Sequence, residues 1–283
     1  MRYVWLFPFL MIPRNSTHGV FYESITIIIV KEEWGVDRKV MVILCVGVFF
    51  AATAVSSHAQ QGGEVPQWKV RTELSYTNSS GNSDSETLAA KVGVKREEEL
   101  NRYYLDGSVF KTENDSDETA NRWVVDGRYE RVIRDRLFGF GEAYYIKDKF
   151  SGYKYRYGFG PGVGYDFIRT DNHSLKGLFS ILYSYDRYSI GTEASDDYFA
   201  GKAGIKYKWR IMENLTFGEN AYYLFSFDDA DQYFLNSETT HEVKISDMVS
   251  LGVSYIIAYQ NEPPSPLFDD TDRIFLTSLI VDF

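Results

Sequence analysis

Apolar and polar side chains alternate along most of this chain. In the segment WKVRTELSY, residues 68–76, the even-numbered positions are aromatic, aliphatic or Thr, and the odd-numbered positions are charged or Ser. The segment YKYRYGFGPGVGYDF, residues 153–167, continues the pattern over a longer stretch, with Tyr, Phe, Pro and Val on one face and Lys, Arg, Gly and Asp on the other. A period of two indicates a β-strand whose two faces meet different surroundings.

Twelve segments carry this alternation, and they are about twice as long as the 5–6 residues usual for strands in globular proteins. A strand that crosses a bilayer at a tilt needs about 9–11 residues. Since no other part of the chain offers a second layer for so many apolar faces, lipid is the simpler cover. We therefore predict an all-β fold, a transmembrane up-and-down antiparallel β-barrel of 12 strands, although Pro161 would remove a ladder bond in mid-strand. The strands are expected near residues 67–77, 86–96, 101–111, 121–131, 136–147, 153–168, 174–187, 197–209, 214–227, 233–245, 248–260 and 272–283.

The segments between the predicted strands alternate between short and long. VIRDRL, IRTDNHSL, RIMENL and KISDMVSL are short turns, whereas NSSGNSDSE, ENDSDETAN, SIGTEASDD, FDDADQ and QNEPPSPLFDDTD are longer and acidic. Outer-membrane barrels have short periplasmic turns and longer extracellular loops, and an even strand number returns both termini to the periplasm. Phe283 then ends the last lipid-facing row, and we interpret this C-terminal aromatic residue as an outer-membrane insertion signal.

The N-terminal region departs from this pattern. A basic pair precedes an apolar run over residues 40–50, and small residues follow up to Ala59, which is the order of a secretory signal peptide cleaved near Ala59. The run is short for a membrane-spanning helix. Further upstream, glutamates stand where a signal peptide carries positive charge. We therefore expect residues 1–35 to be a mis-assigned N-terminal extension, residues 36–59 the signal peptide and residues 60–283 the outer-membrane β-barrel domain.

Composition narrows the function classes. The chain has 283 residues, a formal charge of −10 and 17% aromatic residues. Phosphate affinity depends on Lys and Arg, and no basic stripe is present, so we expect no nucleic-acid partner. The single cysteine, Cys45, falls in the predicted signal peptide, and the mature barrel is therefore expected to lack disulfides, thiol chemistry and thiolate metal sites.

Candidate catalytic and metal-binding residues are sparse. The mature region holds His173 in a predicted turn and His241 on a predicted strand, and neither has a carboxylate at helical metal-ligand spacing. His241 is in phase with Ser237, which is similar to the outward-facing Ser and His of outer-membrane phospholipases and leaves a lipid hydrolase as a distant alternative. Acidic clusters in the loops could gather divalent cations, but solvated loops are the favoured interpretation. We predict no enzyme activity, no cofactor and no metal site.

Two related motifs place glutamates among aromatic residues. FGEAYY at residues 140–145 and FGENAYY at residues 217–223 put Glu142 and Glu219 in phase with large rings. A carboxylate that faces lipid in mid-strand is costly, so either both faces turn inward there or the additional Asn220 marks a bulge that reverses the phase. We interpret both glutamates as possible lumen charges, which either bond to lumen bases or contribute to ion selectivity. The bases are Lys154, Arg156, Lys206 and Lys208.

Four motifs together resemble a known family. They are ELSYTNSSGNSDSETLAAKVGVK with its GNSD turn, the GFGEAYY stretch, the GFGPGVGYDF strand and the closing SLIVDF. These motifs resemble the salt-induced outer-membrane proteins, the YdiY-like proteins, whose biochemical function is not settled. The resemblance extends over residues 65–283 and implies an outer-membrane barrel expressed under osmotic or acid stress. It implies no catalytic residues.

Two functions fit these observations. One is a narrow, stress-related channel for small solutes or ions in a Gram-negative outer membrane, with lumen bases that favour anions. The other is a non-conducting envelope or surface scaffold whose acidic loops bind cations or lipopolysaccharide. The expected partners are outer-membrane lipid and lipopolysaccharide, together with the barrel-assembly machinery during insertion. No oligomeric state follows from the sequence.

Overall fold

The computed structural model describes residues 11–16, 19–24, 68–79, 85–115, 117–189, 195–266 and 268–283. The chain divides into two units, Met1–Ala51 and Ala52–Phe283. In the first unit, β1 (Met11–Ser16) and β2 (Gly19–Ser24) form an antiparallel pair. The predicted signal peptide, residues 36–59, and its cleavage point lie outside the described residues. Over the part of the chain that is described, no helix is long and apolar enough to cross a membrane.

Twelve antiparallel strands form a closed barrel in the second unit. Each strand pairs with its neighbours in chain order, and β14 pairs with β3 to close the ring. The predicted fold class, an all-β up-and-down barrel of 12 strands, is confirmed. The strands are β3 (Lys69–Ser79), β4 (Ser85–Glu97), β5 (Asn101–Asn114), β6 (Asp117–Arg134), β7 (Leu137–Asp148), β8 (Tyr153–Arg169), β9 (His173–Tyr188), β10 (Ser195–Met212), β11 (Leu215–Ser226), β12 (Tyr233–Lys244), β13 (Val249–Gln260) and β14 (Thr271–Asp282).

The alternation in the sequence becomes an outer and an inner face of the barrel. On the outer face, large apolar side chains are exposed, and Phe159, Phe199 and Phe275 keep 54%, 57% and 66% of their surface open. Soluble monomers rarely expose a contiguous apolar surface of this kind. The inner face carries most of the charged residues and many glycines and serines, so the polar surface of the barrel lies inside.

Aromatic rings gather at both ends of the outer face. We call the end where β3 begins and β14 ends the terminal end, and the opposite end the loop end. Near the loop end, the Tyr155 and Tyr185 rings stack with their centroids 6.2 Å apart. Near the terminal end, His173 Nδ1 and the Tyr207 hydroxyl are 2.9 Å apart, and the His173 ring stacks on Trp209. Aromatic girdles on both sides of an apolar band are a feature of membrane barrels, because amphipathic rings favour the interface with water.

Pro161 interrupts one ladder, as its missing N–H predicts. It pairs with Gly141 on β7, but the pairing of β8 with β9 lapses at Gly160 and Pro161 and resumes at Gly162. The two backbones remain close there, because a Cβ on Gly160 would stand 2.0 Å from the carbonyl oxygen of Ile181. The residue before the proline must therefore lack a side chain.

We expect Gly160→Ala to lower the yield of folded barrel, because the added methyl group collides with the β9 backbone and overpacking costs about 1–3 kcal/mol. Gly141→Ala is the matched control, since a Cβ at that position meets nothing within 4 Å. Gel mobility of unheated against boiled samples measures the folded fraction, because a closed barrel resists detergent until it is heated. Equal folded fractions for the two variants would contradict the close approach of β9.

Candidate functional site

A cavity of about 270 Å³ lies inside the lumen. Its charged side chains come from inward-facing positions, because every second residue of a barrel strand points into the barrel. Bases outnumber acids in the lining. The bases are Lys91, Arg122, Arg128, Arg156, Lys202 and Lys206, and the acids are Asp126, Glu142 and Glu238.

Ion pairs cross the lumen between strands that are not neighbours. Lys91 on β4 contacts Glu238 on β12, four strands away around the ring. Arg71 on β3 binds Glu242 on β12 at 2.8 Å, and it also binds Asp282 on the adjacent strand β14 at 2.8 Å. Because these bridges draw side chains together from different parts of the wall, they narrow the lumen.

Glu142 faces the lumen and is held there by two neighbours. It accepts a hydrogen bond from Lys202 Nζ at 2.9 Å and one from Ser180 Oγ at 2.5 Å. The side chains of Glu142 and Lys202 are only 12% and 20% exposed. Separating the two side chains would leave two poorly hydrated charges unpaired, which is costly. The ion pair therefore holds both side chains in place at the edge of the cavity.

A buried charged cluster lies in the lumen towards the terminal end. Glu130 is fully buried and accepts hydrogen bonds from Arg102 at 3.1 Å and Arg128 at 2.9 Å, and Lys176 Nζ lies 3.7 Å from it. Arg102 also contacts Asp166 at 3.4 Å. A buried carboxylate is tolerated here because three bases surround it.

Phenylalanine rings fill the space beside this cluster. A Cβ on Gly162 would stand 2.2 Å from the Phe140 ring, and one on Gly164 would stand 2.2 Å from the Phe138 ring. The glycines on the inner face of β8 are therefore needed to admit the inward rings of β7. Phe138 is 1% exposed, so the lumen is packed rather than water-filled at this level.

Arg156 organises another cluster towards the loop end. It donates to Asp186 at 3.0 Å, and its guanidinium carbon lies 3.8 Å from the ring centroid of Phe234 on β12. Asp186 also accepts a hydrogen bond from the Tyr198 hydroxyl at 3.2 Å. Arg156 and Phe234 are among the residues that line both the main cavity and a smaller one of about 70 Å³ at the loop end, so this cluster lies where the two spaces adjoin.

The other predicted lumen bases take different positions. Lys206 lines the cavity, and within the described residues no carboxylate lies within ion-pair distance of it. Lys208 faces inward nearer the terminal end and is exposed. Lys154 is exposed at a bulge in the pairing of β8 with β9, and it does not belong to the described lining of the cavity. The bulge takes Lys154 out of the regular alternation that assigned it to the lumen.

Glu219 lies on the outer face of the barrel instead of in the lumen. It accepts hydrogen bonds from Ser237 at 2.7 Å and Thr239 at 2.6 Å, and these hydroxyl groups supply the partners that lipid would not. The pairing of β11 with both neighbours runs without a bulge at Asn220, so the extra residue shifts the FGE segment by one position relative to the motif on β7. A shift of one position changes the face of every residue, and for this reason Glu142 points inward and Glu219 outward.

The Ser and His of the hydrolase alternative do not meet. Ser237 and His241 both face outward on β12, but Ser237 donates to Glu219, and the His241 ring packs against Phe217 with centroids 5.2 Å apart. A nucleophile and its base must lie within hydrogen-bond reach, so this arrangement gives no support to lipid hydrolysis. Among the residues with described positions, no three His, Cys, Asp or Glu side chains converge as metal ligands.

Glu238 is not among the sequence-based candidates, although it forms one half of the bridge to Lys91. The alternation along β12 predicts that Glu238 faces inward, because Leu235 and Val243 lie on the outer face and Glu238 is an odd number of positions from each. The sequence alone does not identify Lys91 as its partner. Lys91 and Glu238 are 147 residues apart, and only closure of the barrel brings their strands to face each other.

Comparison with known proteins identifies the family. The family described as "Protein of unknown function, DUF481" matches residues 72–283. The chain belongs to the DUF481 family. The resemblance to the YdiY-like proteins is thereby confirmed, and the DUF481 chain is 28% identical over 204 residues to the "Uncharacterized protein YdiY" of Escherichia coli (strain K12), covering 72% of this chain and 79% of YdiY.

Solved structures similar to the DUF481 barrel are membrane proteins that share little sequence identity with it. The translocator domain of the autotransporter NalP from Neisseria meningitidis is 10% identical with a TM-score of 0.44, covering 87% of this chain and 97% of the domain. An outer-membrane channel from Pseudomonas putida F1 is 7% identical with a TM-score of 0.48, covering 81% of this chain and 98% of the channel. Similarities this remote assign neither a solute nor an activity to the DUF481 chain.

We expect Glu130→Ala to destabilise the barrel by about 3–5 kcal/mol, because it leaves buried bases without their carboxylate. Urea unfolding in detergent micelles, followed by tryptophan fluorescence, measures the change. Lys244→Ala is the control, since its partner Asp247 is 98% exposed and a surface pair contributes little. A Glu130→Ala barrel as stable as the control would contradict the assignment of Glu130 as the centre of the cluster.

Proposed function

We propose that this protein is a bacterial outer-membrane β-barrel that acts as a narrow channel for small ions and solutes, with a preference for anions. The membrane location is supported by the apolar outer face between aromatic rings at the two ends. The predicted signal peptide would deliver the chain to the periplasm. Phe283, whose backbone exchanges hydrogen bonds with Val70 at the closing seam, would serve as the insertion signal for the barrel-assembly machinery.

The observation that carries the channel proposal is the charged cavity. Its lining holds six bases, and five of them form ion pairs with carboxylates in the lining or just outside it. The charge that favours anions is therefore that of the remaining base, Lys206. Lys206 contributes most directly, because no described carboxylate pairs with it. A volume of about 270 Å³ admits small hydrophilic molecules and excludes large ones.

Ions and solutes can pass only if the ion pairs that cross the lumen open, and the side chains of these pairs are partly exposed to solvent. In the pair Lys91–Glu238 the side chains are 36% and 18% exposed, and in the pair Arg71–Glu242 they are 38% and 20% exposed. Salt screens such partly exposed pairs more than buried ones. We therefore propose that raised ionic strength loosens these bridges and widens the lumen, which agrees with a role under osmotic stress.

The buried clusters favour a second candidate, a non-conducting surface scaffold. Glu130 and Asp186 have fully buried side chains, and packing this tight leaves little room for water beside them. If the lumen stays closed, the working surface would be the loop end, where acidic residues such as Asp269 and Asp270 are exposed. Hard cations and the cation-bridged phosphates of lipopolysaccharide are the ligands that such carboxylates attract.

Single-channel conductance in a planar bilayer with a salt gradient tests the channel proposal. We expect discrete current steps with anion preference, and we expect Lys206→Glu to weaken or reverse this preference because it changes the charge of the cavity wall. Lys154→Glu is the control, since it makes the same charge change at an exposed bulge. A correctly folded barrel that carries no current would contradict the channel and support the scaffold.

The related motifs FGEAYY and FGENAYY, which carry Glu142 and Glu219, offer a sharper test of selectivity. We expect Glu142→Gln to increase anion preference, measured as a shift of the reversal potential, because Lys202 then loses its carboxylate. Glu219→Gln makes the same substitution in the related motif but on the outer face, and it should leave the reversal potential unchanged. Equal shifts from both variants would contradict the opposite orientations of the two glutamates.

A further inference from the structure

The seam that closes the barrel is paired over only part of its length. Residues Arg71–Leu74 of β3 pair with residues Leu279–Asp282 of β14. Nearer the terminal end, Phe283 and Val70 exchange two backbone hydrogen bonds. Beyond Leu74, β3 remains paired with β4, and β14 remains paired with β13. In the described residues, the pairing of β3 with β14 therefore stops about halfway towards the loop end, although both strands continue.

The unpaired stretch is a weak point in the wall. Continuing the register would place Ser75 opposite Ser278, but the two strands form no ladder there. Ser75 Oγ is buried and has no hydrogen-bond partner in the described structure. On the outer face beside this stretch, Leu74 and Phe275 are exposed. Because unpaired backbone groups are costly in hydrocarbon, a seam without a ladder opens more readily than any continuously paired one.

The cavity inside the lumen is apolar on the side next to this seam. Ala89 of β4, Ile256 of β13 and Leu276 of β14 line it there, and Lys91 of β4, which is paired with Glu238, lines it nearer the terminal end. Lys202 and Lys206 of β10 line it on another side, four strands from β14 around the ring. One enclosed space thus has two bases on one side and mainly apolar residues on the side of the seam, where Leu276 belongs to the part of β14 that is not paired with β3.

We propose that the cavity binds a single-chain amphipathic anion and releases it sideways into the membrane between Ser75 and Ser278. The anionic head would contact Lys206, which has no described carboxylate partner, and the chain would lie along Ile256 and Leu276. A volume of about 270 Å³ suits one short chain and excludes lipids with several chains. This inference rests on the proposed channel and names a solute class and a second exit for it.

The binding step is tested with octyl sulfate and ethyl sulfate, which share a head group and differ in chain length. The protein is purified from membranes of expressing cells and inserted in a planar bilayer that carries a salt current. We expect octyl sulfate to block the current at a concentration at least about tenfold lower than ethyl sulfate, because its additional methylene groups bury against the apolar wall. Leu276→Asp should remove this difference between the two probes.

The exit step is tested by locking the seam. Ser75→Cys with Ser278→Cys, in a Cys45→Ser background, places thiols on both sides of the gap for a short bis-maleimide crosslinker. Ser75→Cys with Ala89→Cys is the matched control, because it uses the same residue of β3 and crosslinks the paired seam with β4. We expect crosslinking to prolong each octyl sulfate block several-fold in the first variant and to leave it unchanged in the control.

The outcomes separate the inference from the channel itself. Equal block by the two sulfates would overturn the binding of an amphipathic anion, and equal block durations before and after locking would overturn the sideways route. In both cases the salt current still supports the channel. A folded barrel without salt current would overturn the channel, and this inference would fall with it.

Hydrogen exchange provides a check that needs no variant. We expect peptides that contain residues 75–77 and 276–278 to exchange faster than peptides that contain the paired residues 88–90 and 253–255, and equal protection would overturn the open seam.

Discussion

The structure depends on one constraint: each strand of a closed barrel faces two different surroundings, while its backbone groups must be paired within the wall. Pairing fixes a period of two for the side chains, so an apolar outside and a polar inside require alternation in every strand. Closure then makes this requirement collective, because every strand has a neighbour on each side and cannot change its register alone. The regular parts of the chain, from the Trp68 segment to the final Phe283 row, satisfy this requirement.

Closure also determines the chemistry of the lumen. Inward charges from distant strands meet in a narrow space, where unpaired ions would be costly, and so they form bridges such as Lys91–Glu238 and Arg71–Glu242. Where charges do not fill the space, rings from β7 do, and the glycines of β8 make room for them. The remaining cavity is the part of the lumen that neither ion pairs nor rings occupy, and Lys206 in its lining is the basis for the proposed anion preference.

The departures from the regular pattern are local and have separate causes. Pro161 lacks the N–H that the ladder with β9 needs, and Gly160 allows the backbone to remain close in spite of the lapse. Lys154 lies in a bulge and leaves the lumen face. Glu219 changes face because Asn220 adds one residue to an otherwise regular strand, and the hydroxyl groups of the neighbouring strand compensate the carboxylate. The closing seam lies between strands from opposite ends of the chain, and its ladder is incomplete.

The sequence by itself determined the fold class, the number of strands and the approximate strand bounds, because a period of two is a local property that any ten residues display. It also determined which side of a regular strand carries charge, as for Arg156 and Lys206. Only the tertiary structure decided which charges meet, since Lys91 and Glu238 become neighbours through closure of the ring and not through sequence proximity. It likewise decided the faces of Glu219 and Lys154 and the extent of the β3–β14 seam, because register and bulges are set by the pairing of whole strands.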